Sequence, residues 1–161
     1  MPPNPLGTDP LLSQWMGLAL DAAHRALETA DVPIGAVVVA ADGTVLGTGW
    51  NEREATGDPT AHAEVLALRR AAATTGNWRL DGCTLVVTLE PCAMCAGASV
   101  LARVPRVAFG AWDLKAGAAG SVFDVLRERR LNHWTEVVPG IREDECAELL
   151  KDFFTAQRNE R

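Results

Sequence analysis

The chain lacks the features that would place it in a membrane or outside the cell. No apolar run reaches the roughly 20 residues a transmembrane helix needs, and no N-terminal stretch reads as a signal peptide. The 161 residues hold no internal repeat, linker or second-domain boundary, so one domain with a real core is expected. Cysteine is scarce. Four cysteines at uneven spacing suit a reducing cytoplasm better than a disulfide framework. Excess positive charge is missing too. A formal net charge of −6 excludes indiscriminate attachment to nucleic acid, though not a local basic patch. What remains is an ordinary globular composition, 48% hydrophobic and 22% charged.

Against that background two short stretches stand out, Thr60-Ala61-His62-Ala63-Glu64 and Thr88-Leu89-Glu90-Pro91-Cys92-Ala93-Met94-Cys95. Together they offer one imidazole, two thiols and a carboxylate. Zinc takes His nitrogen and Cys sulfur, and a catalytic zinc keeps one position open for water. His62, Cys92 and Cys95 are therefore candidate ligands, with Glu64 as the group that moves protons. Cys92 and Cys95 lie three apart and share a helix face. Pro91 favours a helix start there, and a helix N-terminus stabilises thiolate. Thr60, after Asp58-Pro59, reads as the N-cap of another helix carrying His62 and Glu64. Two positions along a helix turn by about 200°, so one of those two residues must reach around the helix end. Other readings stay open on the residues alone. Cys-x-x-Cys also serves as a redox pair, and cysteines also fill cores. A structural four-ligand zinc would draw on Cys83, Cys146, His24 or His133.

Residues 1–10 hold four prolines and no periodicity, and a disordered lead is expected, with the folded domain spanning 11–161. Helical spacing from Leu11 to Ala30 predicts a first amphipathic helix. Ala36–Ala40 and Thr44–Trp50 read as strands joined by an Asp42-Gly43 hairpin turn. A polar loop runs over 51–59. A helix follows over about 61–73, ended by Gly76-Asn77. Leu85–Leu89 is a third strand that delivers Pro91-Cys92 to the next helix, and Arg106–Gly110 is a fourth. A glycine-rich loop over 113–120, a short helix over about 122–130 and a fifth strand at Trp134–Val138 follow. The chain closes on an amphipathic helix with Cys146, Leu149, Leu150, Phe153 and Phe154 on or near its apolar side, where at least one of the two phenylalanines is expected in the core. One hairpin followed by alternating strands and helices predicts an α/β fold, a three-layer α/β/α sandwich around a five-stranded mixed sheet.

His-x-Glu followed by Pro-Cys-x-x-Cys is the compound signature of the zinc deaminases that act on nucleobases. With Val32–Ala36, Gly49-Trp50-Asn51, Thr88–Ala98, Phe109-Gly110-Ala111 and the ending through Phe153-Phe154, the chain resembles the bacterial tRNA-specific adenosine deaminases of the cytidine-deaminase-like superfamily. The resemblance runs from about Gln14 to Arg158. It departs from the family at Trp134, which follows Asn132-His133 where a basic residue is common, and over Arg127–Leu131.

The resemblance implies one Zn²⁺ per subunit and hydrolytic conversion of adenosine to inosine at the wobble position of an arginine tRNA. It implies Glu64 as the residue that takes a proton from water and delivers it to N1 of adenine. It also implies Asn51 on the purine edge, with Ala63 beside it among the substrate-binding residues. Asp113 and Lys115 would meet anticodon nucleotides, and Arg127, Arg129, Arg130, Lys151 and Arg158 could extend a basic patch. A tRNA anticodon stem-loop as partner, a homodimer, no membrane and a cytoplasmic location complete what it implies. Two alternatives share the zinc residues: a deaminase of free bases or nucleosides such as guanine or cytosine, and a non-catalytic zinc scaffold.

Overall fold

The computed structural model describes residues 9–160. The first eight residues of the expected lead lie outside the described residues. Its last two do not belong to a lead. Asp9 accepts the Leu11 N–H at 2.9 Å and caps helix α1 (Pro10–Ala26), which opens with proline in its first turn. The helix ends four residues earlier than its apolar period suggests. It tightens into a 3₁₀ turn at Leu27–Thr29 and stops at Ala30, whose φ of 57° is left-handed.

Strands β1 (Gly35–Val39) and β2 (Val45–Trp50) form the predicted hairpin. Its turn is held by Asp42, which accepts the Thr44 N–H, and by Gly43 at φ 88°. Next come helices α2 (Arg53–Thr56) and α3 (Ala63–Thr75), strand β3 (Thr84–Leu89), helix α4 (Ala93–Leu101), strands β4 (Arg106–Ala111) and β5 (Glu136–Val138), and helix α5 (Glu143–Asn159). The polar loop over 51–59 therefore contains one helical turn that composition alone does not reveal.

The sheet order is β2-β1-β3-β4-β5, with β1 antiparallel to both its neighbours and β3, β4 and β5 parallel. Alternate side chains of each strand feed two cores. Val37, Val39, Val86 and Ala108 meet Met16, Ala19 and Cys146 of α1 and α5. Ala36, Val38, Leu85, Val87 and Val107 meet Ala67, Leu68, Ala96 and Val100 of α3 and α4. The three-layer mixed-sheet architecture is thus as expected, and strands buried on both faces explain their unbroken apolar runs.

Two expectations fail for identifiable reasons. No helix forms over 122–130. The N–H groups of Val122 and Phe123 bond back to the Gly117 carbonyl and that of Val125 to Ala118, so a compact irregular loop replaces the helical ladder. Leu126 is drawn fully into the core. Neither Phe153 nor Phe154 enters the core. Only Cys146 of α5 is buried; Phe153 is half-buried and packs edge-to-face on exposed Phe154, ring centres 5.3 Å apart. The expected fifth strand is shortened because Trp134 is exposed and Thr135 turns inward to the Val104 carbonyl.

Helix α3 sits directly on β2 because Gly47 and Gly49 carry no Cβ. A Cβ at Gly47 would run into the Ala67 carbonyl, and one at Gly49 into the Ala63 carbonyl. Ala63 adjoins His62, so this contact sets the height of one candidate ligand. Gly49→Ala is expected to destabilise the fold by about 1–3 kcal/mol through overpacking. It should also lower metal affinity, because α3 must lift. Thermal unfolding and metal titration check both.

Candidate active site

The geometric problem posed by His62 and Glu64 is solved at the helix boundary. His62, not Thr60, is the N-cap of α3, with extended backbone at φ −77° and ψ 149°. Thr60 instead bonds to Asp58 through both its N–H and its hydroxyl. An extended residue followed by helix redirects the imidazole, so His62 and Glu64 reach the same space although they are only two apart. Cys92 repeats the arrangement at the start of α4, with φ −74° and ψ 176°. Pro91 therefore lies outside the helix rather than in its first turn, and Cys95 sits one turn inside.

The three donors converge. Nδ1 of His62 lies 3.4 Å from Cys95 Sγ and 3.6 Å from Cys92 Sγ, and all three ligand atoms fall within 4.8 Å of one another. Bond lengths of about 2.05 Å to nitrogen and 2.3 Å to sulfur, in a tetrahedron, predict N···S separations of about 3.6 Å. The donor set therefore fits a zinc ion. The four residues available for a structural fourth ligand are elsewhere. His24 Nδ1 is held at the Leu20 carbonyl and His133 Nε2 at the Val104 carbonyl. Cys146 is packed against Gly110 on the opposite face of the sheet, and Cys83 precedes β3. Three protein ligands and an open position are the pattern of a catalytic site.

The electrostatics agree. The Cys92 thiol is pulled down to about 4, first by the Cys95 S–H donating to it and then by His62. Cys95 is pushed up by that same contact and by burial, so the pair shares a proton until a cation displaces it. The contact with Cys92 raises His62. Glu64 is 4% exposed, and burial pushes its carboxyl up to about 7. It is not among the three converging ligand atoms.

A cavity of about 160 Å³ opens over these groups, lined among others by Val32, Ile34, Asn51, Ala63, Leu89 and Asp113. A larger open groove of about 790 Å³ lies between α1 and α5, but Asp21, Asp144, Glu145, Glu148 and Asp152 line it and it holds no ligand cluster. Asn51 is buried and its amide is engaged: Nδ2 donates to the Val32 carbonyl and Oδ1 accepts the Arg53 N–H. Ala63 opens α3 at the cavity floor. Asp113 is on the rim, its Oδ1 capping the Lys115 and Ala116 N–H groups. Lys115 is exposed and lies outside the cavity, in an adjoining groove with Leu114, Leu150 and Phe154. Of the other basic residues, Arg127 pairs with Asp124 and Arg130 with Glu128.

Glu90 was not singled out from sequence, yet it organises the site. It is 2% exposed, and it accepts the N–H groups of Asp113 at 3.0 Å, Ala119 at 2.9 Å and Ser121 at 3.1 Å. The loop that carries Asp113 and Lys115 thus hangs on one carboxylate next to the Pro-Cys turn. A charged residue between a strand of apolar residues and that turn was the available signal. Glu90→Gln turns one acceptor into a donor facing these N–H groups. A loss of about 1.5–3 kcal/mol is expected, with faster amide exchange over 113–121. Denaturant unfolding and hydrogen exchange read it.

Comparison with known proteins agrees with this geometry. The profile of the cytidine and deoxycytidylate deaminase zinc-binding region matches residues 10–111. The tRNA-specific adenosine deaminase of Bacillus subtilis (strain 168) is 46% identical over 147 residues, covering 91% of each chain. That of Haemophilus influenzae is 44% identical, covering 92% of this chain and 86% of its own. A structure from a study of A-to-I editing by tRNA:A34 deaminases at the wobble position superposes with a TM-score of 0.81 at 43% identity, covering 86% of this chain and 99% of that one. A guanine deaminase from Bacillus subtilis superposes less well, with a TM-score of 0.60 at 30% identity over 91% of this chain and 92% of that one. Fold and site define a zinc-binding deaminase. The chain belongs to the family of tRNA-specific adenosine deaminases.

Cys92→Ala combined with Cys95→Ala should abolish zinc binding, while wild type carries one zinc per chain. Elemental analysis of the purified proteins checks the stoichiometry.

Proposed function

We propose that this protein is a zinc-dependent enzyme that hydrolyses adenosine to inosine at the wobble position of a tRNA anticodon, an arginine tRNA by resemblance, releasing ammonia. The observation that carries the reading is the convergence of His62, Cys92 and Cys95 beneath a small cavity whose buried carboxylate, Glu64, is not one of the converging ligand atoms. When bound, zinc supplies a Lewis acid that makes water nucleophilic at neutral pH. Glu64 takes one proton from the attacking water and delivers it to N1 of the adenine, then takes the second from the hydroxyl now on C6 and passes it to the amine, which departs as ammonia while C6 becomes a carbonyl. Asn51 aligns the purine edge. Ala63 offers an N–H in the first turn of α3, where helix donors have no partner within the helix.

The cavity is too small for more than one base, so neighbouring nucleotides lie outside it. The adjoining groove, with Lys115, Leu114 and Phe154, supports this. An anticodon loop suits such a cavity because its bases are unpaired and splay at low cost. On this reading α1 to α5 form one deaminase domain, the enzyme works in the cytoplasm with its substrate, and it acts as a homodimer. Met94 and Leu101 of α4 are exposed, and a Cβ at Gly97 between them in sequence would meet nothing within 4 Å, which supports close approach by a second copy. No described helix is long and apolar enough to cross a membrane.

The test is incubation with an anticodon stem-loop containing a wobble adenosine. Inosine is expected from wild type. Glu64→Gln should keep its fold and zinc and lose at least about 10²–10⁴-fold in kcat. Turnover of free guanine or adenosine, with none of the stem-loop, would replace this reading with that of a free-base or nucleoside deaminase.

A further inference from the structure

The hairpin pairing of β1 and β2 ends at Gly35 and Trp50. Beyond it, residues 31–34 and 51–55 run on as one wall of the cavity, through Val32, Ile34, Asn51 and Arg53. One backbone bond continues the ladder, Asn51 N–H to the Ile34 carbonyl at 3.0 Å. Side chains do the rest. At the near end Asn51 holds the Val32 carbonyl. At the far end stands Asp31, 1% exposed. Its Oδ1 accepts the Glu54 N–H at 2.6 Å, and its Oδ2 accepts the Ala55 N–H at 3.1 Å and the Thr29 hydroxyl at 2.6 Å.

Helix α2 has one local cap, Asn51 Oδ1, which accepts the N–H of its first residue, Arg53. Glu52 occupies the N-cap position without a side-chain hydrogen bond, and α2 is only four residues long, so it cannot persist unaided. Asp31 caps it from 23 positions upstream. Arg53, the first residue of α2, lines the cavity and also a second groove that includes Phe153, Phe154 and Gln157. The position of Arg53 is therefore set jointly by Asn51, which holds its N–H, and by Asp31, which holds the next two and is not among the residues lining the cavity.

We propose that Asp31 is a positioning residue for substrate binding: it fixes α2, and through it Asn51 and Arg53, so that the cavity wall is preformed before RNA arrives. The inference rests on the tRNA-deaminase reading for its substrate, but the tie itself is independent of that reading. Glu64 and the ligands stand on α3, α4 and their caps, so loosening α2 affects binding rather than the chemical step.

Two measurements test it on the zinc-loaded enzyme. Hydrogen exchange reads the tie without any substrate. Asp31→Asn should speed exchange of the amides of residues 53–56 while β1 and β3 stay protected. Kinetics on the wobble-adenosine stem-loop read the function. Asp31→Asn should raise KM at least about 10-fold and leave kcat within about 3-fold, the pattern of lost binding rather than lost chemistry. In an Arg53→Ala background the same substitution should raise KM less than in wild type. Val107→Ala, a core change remote from α2, should lower thermal stability and leave KM unchanged. Should Asp31→Asn fail to fold, Thr29→Val removes one bond to the carboxylate and should give the same split at smaller amplitude. Unchanged exchange over 53–56, unchanged KM, equal effects in the two backgrounds, or a matching KM rise in Val107→Ala would each overturn the proposal. Absence of inosine from wild type would overturn the functional reading instead, leaving the exchange result to decide the tie.

Discussion

The approach of one imidazole nitrogen to two thiol sulfurs, at 3.4 and 3.6 Å, is the constraint on which the rest of the structure depends. Those groups come from two helix starts that must meet at one point. Helix α3 reaches it because two glycines of β2 let its backbone touch the sheet. Helix α4 reaches it because β3 ends where the Pro-Cys turn begins. Both ligands that precede their helices have extended backbone, and so they project toward the gap between the helices rather than along either axis. With a cation, the donors match a tetrahedral ion, and metal affinity becomes part of the folding free energy of the site.

Around that centre the protein spends buried carboxylates on architecture. Glu90 and Asp31 each accept three hydrogen bonds, mostly from backbone N–H groups of loops that no sheet or helix ladder could hold. Buried charge is tolerated only when so paired, and hydrogen bonds to a charged acceptor are stronger than neutral ones. The first part of the irregular segment after β4 and the one-turn α2 thereby have acceptors for backbone groups that no ladder serves. Both border the cavity. Walls tied down on both sides suit a cavity of this size, since a preformed wall leaves less ordering to be done on binding.

The surface is arranged in keeping with the acidic sequence. Carboxylates gather in the groove between α1 and α5, which faces away from the cavity. Arg127 and Arg130 are paired with nearby acids rather than free for phosphates. Apolar groups instead lie beside the cavity mouth, where Leu114, Leu150 and Phe154 border Lys115. Lys115 thus stands among apolar and aromatic neighbours rather than in a basic cluster.

The sequence by itself determined the layered mixed sheet and the zinc donor set, and it singled out the carboxylate of Glu64 beside them. Unbroken apolar strands, helical periods and the His-x-Glu and Pro-Cys-x-x-Cys spacings are local signals, set by residues close together in the chain. Only the tertiary structure decided how His62 and Glu64 reach one space, because a helix boundary placed two residues later than the Asp58-Pro59-Thr60 signal suggests rotates one side chain away from the helical pattern. It also decided that 122–130 is not a helix, since the carbonyls of Gly117 and Ala118 take up the N–H groups of Val122, Phe123 and Val125. It set the phenylalanines of α5 at the surface, because the last half of that helix extends past the strands it packs on. Asp31 and Glu90 were invisible as anchors for the same reason. Their backbone N–H partners lie 23 to 31 positions away, and no spacing rule links an acid to an N–H that only the fold brings to it.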